Sequence, residues 1–164
     1  MNLEDLLDKI FNNTSRRKKE ILFLKLQVEK NNSLCRPLYP MLCAHFEGTV
    51  KELSNYYIDY ISSRNIPYCD LKANFKALVL RSEFESVKNT VADHNRVPII
   101  EKIESLNSEK FNIVQSGHKL LISTNGNPKP ETLDIILKSI GLETDIFTLK
   151  ENFINNQLLS IRHD

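Results

Sequence analysis

One apolar pattern constrains this chain more than any other. Leu42, Phe46, Val50, Leu53, Tyr57 and Tyr60 or Ile61 recur at helical spacing. The spacing predicts a helix of about six turns, beginning after Pro37 and Pro40 and ending before Asn65 and Pro67. Gly48 sits inside it. A glycine there lowers helix propensity by about 1 kcal/mol relative to alanine. Its presence therefore points to close approach of another helix at that position. Glycine is otherwise scarce, at four in 164 residues, and neither GxGxxG nor GxxxxGK[ST] occurs. The glycine-loop nucleotide folds thus lack their fingerprint. No repeat of solenoid length is visible either.

The rest of the chain is also mainly helical in pattern. Leu3, Leu6, Leu7, Ile10 and Phe11 share one stripe, and Ile21, Leu24, Leu26 and Val28 continue the apolar content. The polar stretch from Asn12 to Glu20 leaves open one long helix or two broken near Asn12 and Asn13. Residues 68–107 read as two or three shorter helices, with Phe75, Leu78 and Val79 on one face and Pro98 opening another. Residues 111–127 are the least helical, ending in the turn cluster Asn125-Gly126-Asn127-Pro128, and predict a small hairpin or an ordered loop. Pro130 then starts a helix carrying Leu133, Ile136, Leu137 and Ile140, stopped by Gly141. A last helix follows over residues 153–164. It has no stop signal, and its apolar pattern still runs at Asp164, as in a helix cut short or in a frayed terminus. The expected fold is all-α or nearly so, an antiparallel helical bundle with extra short helices, forming one domain over residues 1–164.

Composition narrows the function classes. Apolar residues are 41% and charged residues 26%, with a formal net charge of +1. That mix excludes a disordered chain and a polycation that coats nucleic acid by charge alone. It leaves a local basic site open. No apolar run approaches bilayer length, and Met1 to Ile10 lack a signal-peptide core, so no membrane role is expected. Cys35, Cys43 and Cys69 are odd in number and form no CxxC, and with four scattered histidines they make no zinc spacing. They read as reduced thiols of a cytoplasmic protein, Cys43 in the core. No metal and no cofactor is expected.

Several residues could carry chemistry. Arg162 lies beside the apolar stripe of Leu158 and Leu159. It reads as an exposed terminal arginine or as a phosphate clamp, since a guanidinium donates two parallel bonds to phosphate oxygens. His163 follows, a group able to move protons near neutral pH. Adjacent helical residues diverge by about 100°, so the two reach one atom only if a second chain completes the site. His45 and Glu47, in Ala44-His45-Phe46-Glu47-Gly48, are separated by about 200°. Glu47 flanks the apolar stripe, reading as a solvated residue or as a half-buried carboxylate seeking a cation such as Arg162. His45 alone reads as a structural or surface residue. The run Arg16-Arg17-Lys18-Lys19 reads most simply as a solvated helix face and more sharply as an RNA or phosphate contact.

The stretch Leu42-Cys43-Ala44-His45-Phe46-Glu47-Gly48-Thr49-Val50-Lys51 resembles the AH-aromatic-EG-x-x-K helix of a bacterial branch of the HEPN superfamily, the higher eukaryotes and prokaryotes nucleotide-binding domain. That branch is close to RNase L-like and defence-associated ribonucleases. The segments Asn127 to Leu142 and Leu158 to Asp164 extend the resemblance over nearly the whole chain. The family signature is an arginine, a polar residue, three to five more residues and a catalytic histidine. Arg162 matches its first position and His163 its second. The resemblance implies a homodimeric helical bundle that cleaves RNA without a metal. The ribose 2′-hydroxyl attacks the adjacent phosphate, histidine moves protons and arginine stabilises the developing charge. It further implies a toxin or phage-defence role, often beside a nucleotidyltransferase-like antitoxin. Arg162, His163 and Glu47 become the expected catalytic residues, and His45, Arg17 and Lys18 the expected substrate contacts. Because the closing histidine of the signature does not follow within the sequence, the chain is expected to be inactive or impaired. A noncatalytic HEPN module binding RNA, a nucleotide or a protein is the alternative, and a structural helical dimerisation module is another.

Overall fold

A computed structural model describes residues 1–88, 93–113, 122 and 130–143. The hairpin or loop expected near 111–127 falls largely outside these residues, as does the last helix. Among the described residues there are six α-helices, three short 3-10 turns and no β-strand, so the all-α expectation holds.

The N-terminal pattern forms one helix, α1 (Leu3–Lys30). Asn2 caps it reciprocally. Its Oδ1 accepts the Asp5 N–H at 2.7 Å, and its own N–H donates to Asp5 Oδ2 at 2.8 Å. The polar stretch, which left one helix or two open, is continuous helix, and Asn13 within it turns inward and is buried. Asn31, extended in backbone, ends the helix.

After a 3-10 turn (Asn32–Leu34), α2 runs from Cys35 to Ser63. It starts earlier than its apolar pattern suggested and contains both prolines. Pro37 lies in the first turn, where a helix has no use for its N–H, and Pro40 removes one interior hydrogen bond. The two long helices are antiparallel, since Met1 meets Ser63, Asn13 meets Glu52 and Glu20 meets His45. Lys9 lies over the Tyr56 ring at 5.7 Å, a further tie between them. Cys43, expected in the core, is only partly buried, and Cys35 and Cys69 are exposed; all three are free thiols.

Asn65 takes a left-handed conformation (φ 53°), which asparagine tolerates, and turns the chain out of α2. Then come a 3-10 turn (Tyr68–Asp70), α3 (Ala73–Val79), α4 (Arg81–Val87), a third 3-10 turn (Asp93–Asn95), α5 (Val97–Leu106) and α6 (Pro130–Ser139). Pro98 falls in the first turn of α5, as its φ favours. Gly141 at φ 75° closes α6 as the pattern predicts. The Gly141 N–H donates to Lys138 O and the Leu142 N–H to Leu137 O, a complete Schellman closure. From α3 and the residue before it, Asn74 Nδ2 and Lys72 Nζ donate to the Lys138 and Gly141 carbonyls at that end.

The main core forms where α2, α3 and α6 meet the segment after α5. Ile58, Tyr68, Phe75, Leu78, Leu80, Leu106, Phe111, Ile136 and Ile140 are all buried there. An isolated bridge pairs Pro67 with Lys110. Its bonds run from Tyr68 N to Glu109 O (3.0 Å) and from Phe111 N to Ile66 O (2.9 Å), which draws Phe111 into the centre. Burial, and then Glu109, push the Tyr68 hydroxyl up to about 12.

On α4, Glu83 accepts from Lys102 Nζ of α5. That bond holds the Glu83 carboxyl down at about 2, against an ordinary 4.5. A depressed carboxylate stabilises the fold above its unfolded value, so this contribution is whole above about pH 4.5 and fades as pH falls toward 2. Lys102→Ala is expected to raise the Glu83 titration midpoint toward 4.5, read by carboxyl-carbon NMR. An unmoved midpoint would show that the pair does not form in solution.

Candidate functional site

Of the residues singled out in the sequence, Arg17, His45 and Gly48 meet along the α1–α2 seam. On α2, Met41, His45, Gly48 and Glu52 step along the side facing α1. On α1, Asn13, Arg17, Glu20 and Leu24 answer them at helical spacing. The seam is polar at its centre.

Arg17 is turned inward, its side chain 11% exposed. Nε donates to Asn13 Oδ1 at 3.1 Å, and Nη1 to the His45 carbonyl at 3.3 Å. Nη2 pairs with Glu52 Oε1 at 2.9 Å. Asn13 Nδ2 donates to the other Glu52 oxygen, which closes a ring of three side chains. Arg16 Nη2 approaches that oxygen at 3.6 Å from the solvent side. Such a ring directs every polar atom of a half-buried ion pair at a partner, which its desolvation demands. Arg17 is thus not on a solvated face. The guanidinium expected to meet substrate is engaged within the protein.

Gly48 has its reason here. A Cβ at that position would lie 2.6 Å from Arg17 Nη2 and 2.9 Å from Nη1. The sequence suggested a closely approaching helix, and the approaching group is one planar side chain of that helix.

His45 lies one turn before Thr49, which donates its hydroxyl to the His45 carbonyl at 2.7 Å. The His45 ring is 17% exposed, and Nδ1 faces Glu20 Oε2 at 3.5 Å. Arg16 Nη1 donates to Glu20 Oε1 at 3.3 Å, so the carboxylate is held from two sides. Glu47 points elsewhere and pairs with Lys51 at 2.8 Å. Lys18 is exposed on α1, about 100° round the helix from Arg17. The structure therefore separates His45 from Glu47 and Arg17 from Lys18. Arg162 and His163 lie outside the described residues.

Asn13, Glu20 and Glu52 complete the seam, and sequence reasoning missed their roles. A signal was available, since Asn13 is four residues before Arg17 and Glu52 four after Gly48. Among the described residues, no group of three or more His, Cys, Asp or Glu is placed to hold a metal ion. Among the same residues, no helix is long and apolar enough to cross a membrane.

Comparison with known families finds a match to the family described as RiboL-PSP-HEPN, over residues 12–164. Neither a curated protein nor a solved structure matches the chain.

Proposed function

Because this chain belongs to the RiboL-PSP-HEPN family, we propose that it is the RNA-directed HEPN domain of a metal-independent endoribonuclease. The family match carries the reading. It takes in both the helix with Ala44-His45-Phe46-Glu47-Gly48 and the segment with Arg162 and His163. We place the domain over residues 1–164, in a cytoplasmic homodimer of a bacterial toxin–antitoxin or phage-defence system, with a nucleotidyltransferase-like antitoxin as a candidate partner.

In this reading Arg162 stabilises the charge that develops on phosphorus and His163 moves a proton. Glu47, a half-buried carboxylate already beside Lys51, supports that chemistry from α2. Lys18 and His45 meet the RNA, and Arg17 ties together the two helices that present them.

The test is incubation of the chain with total RNA in EDTA beside Arg162→Ala, with fragments and retained RNA both measured. Fragments that disappear in the variant support the nuclease reading. Retained RNA without fragments fits an impaired nuclease as well as the binding module. The absence of both fragments and retained RNA refutes an RNA role, and dimerisation alone would then favour a structural module.

A further inference from the structure

An open groove of about 580 Å³ runs beside the polar seam, lined by Lys19, Glu20, Phe23 and Leu24 of α1 and by Met41 and His45 of α2. Its size falls in the usual range for a small-ligand site. The floor is apolar and open to solvent, with Phe23 60% and Met41 44% exposed. The rim is polar and mixed in sign. His45 turns Nδ1 toward Glu20, which leaves Nε2 without a hydrogen-bond partner among the described residues. The Glu20 carboxylate is steadied by Arg16 and keeps accepting capacity on both oxygens.

These features select among occupants. An aliphatic side chain or acyl chain would cover Phe23 and Met41 but strip water from Glu20 and His45 with nothing in return. A free phosphate would suit Lys19, yet it would face the Glu20 carboxylate and use none of the floor. A nucleobase matches the whole surface. Its face stacks on Phe23, its edge pairs with His45 Nε2 and Glu20, and its phosphate reaches Lys19. An ionised carboxylate only accepts, so it favours a base carrying an exocyclic amino group, whereas uracil offers only an N3–H flanked by two carbonyl oxygens that the carboxylate repels. We propose that this groove is a nucleobase subsite for single-stranded RNA that prefers adenine, cytosine or guanine over uracil. The inference rests on the RNA reading above and adds a subsite built from residues other than Arg162 and His163.

The test titrates AMP, CMP, UMP and ribose 5-phosphate into the full chain while NMR follows the His45 imidazole and the Met41 methyl. Binding of short oligo(A) and oligo(U) is measured in parallel. AMP and CMP are expected to move both signals at concentrations about tenfold below those UMP requires. Phe23→Ala, which removes an exposed ring, is expected to weaken AMP at least about fivefold. Leu22→Ala, on the same helix outside the groove, leaves binding unchanged. Glu20→Gln narrows the gap between AMP and UMP, because an amide also donates. Unmoved His45 and Met41 signals with AMP overturn the subsite. So do equal shifts by ribose 5-phosphate, which mark a phosphate contact alone, and equal affinities for AMP and UMP. RNA bound with these two signals still refutes the groove and spares the RNA reading. AMP in the groove with no oligonucleotide bound does the reverse.

Discussion

Phe111→Ala is expected to remove about 3–5 kcal/mol of folding free energy, the range for truncating a fully buried phenylalanine. The ring has no solvent exposure. It meets Phe75 edge-on at 5.2 Å and 75°, and Tyr68 at 5.5 Å and 84°. Each such pair adds about 0.5–1.5 kcal/mol beyond the area it buries. The lost ring leaves a cavity among side chains from three segments that cannot collapse together. The backbone bond from Phe111 N to Ile66 O survives the substitution and holds the chain in place, so the cavity stays open. A total stability of about 5–15 kcal/mol makes this a large fraction of the whole. Urea denaturation should show a lower midpoint with the same slope. Phe84→Ala, at an exposed aromatic on α4, should change stability by less than about 0.5 kcal/mol. A loss below about 1 kcal/mol for Phe111→Ala would mean that the segment after α5 is not seated in the core.

Phe111 also shows where pattern reading stops. It stands in the least helical part of the sequence, with no periodic neighbours to mark it. It becomes central only because the Pro67–Lys110 bridge brings distant segments together. Periodicity reports local geometry, so it located α2 and α6, whose faces are continuous, while α5 was marked only by Pro98. It was misleading where a stripe has no partner among the described residues. Leu3, Leu7 and Phe11 follow the helical rule, yet all three are exposed, Phe11 at 68%, and only Leu6 of that stripe is buried. The polar stretch of α1 inverted the expectation. Asn13 and Arg17 face the other helix because a ring of complementary partners satisfies them there. Partnership across 39 residues of sequence has no local signature. The candidate site followed the same division. His45 and Gly48 were visible as members of a motif on one helix. Glu20 and Glu52 acquire their roles only from antiparallel packing.

Gly48→Ala tests that packing through a change of sign. In an ordinary exposed helix the substitution stabilises by about 1 kcal/mol. Here the new methyl would fall 2.6 Å from Arg17 Nη2 and displace the guanidinium. A free arginine end could swing away at little cost. This one is held by Asn13, the His45 carbonyl and Glu52 at once, so its movement breaks all three contacts. A hydrogen bond to a charged group contributes about 1.5–3 kcal/mol. Glu52 is 39% exposed and keeps Arg16 nearby, which discounts that figure. The net expectation for Gly48→Ala is a loss of about 1–2 kcal/mol. With Arg17→Met as background the guanidinium is gone and a flexible apolar chain remains. Gly48→Ala should then stabilise by up to about 1 kcal/mol, the helix propensity no longer opposed. The double-mutant cycle should therefore show coupling of about 2–3 kcal/mol between the two positions. Additive effects would mean that the guanidinium does not rest on Gly48. A coupled pair would make Arg17 the contact that fixes the register of α1 on α2, and with it the placement of His45 beside Glu20.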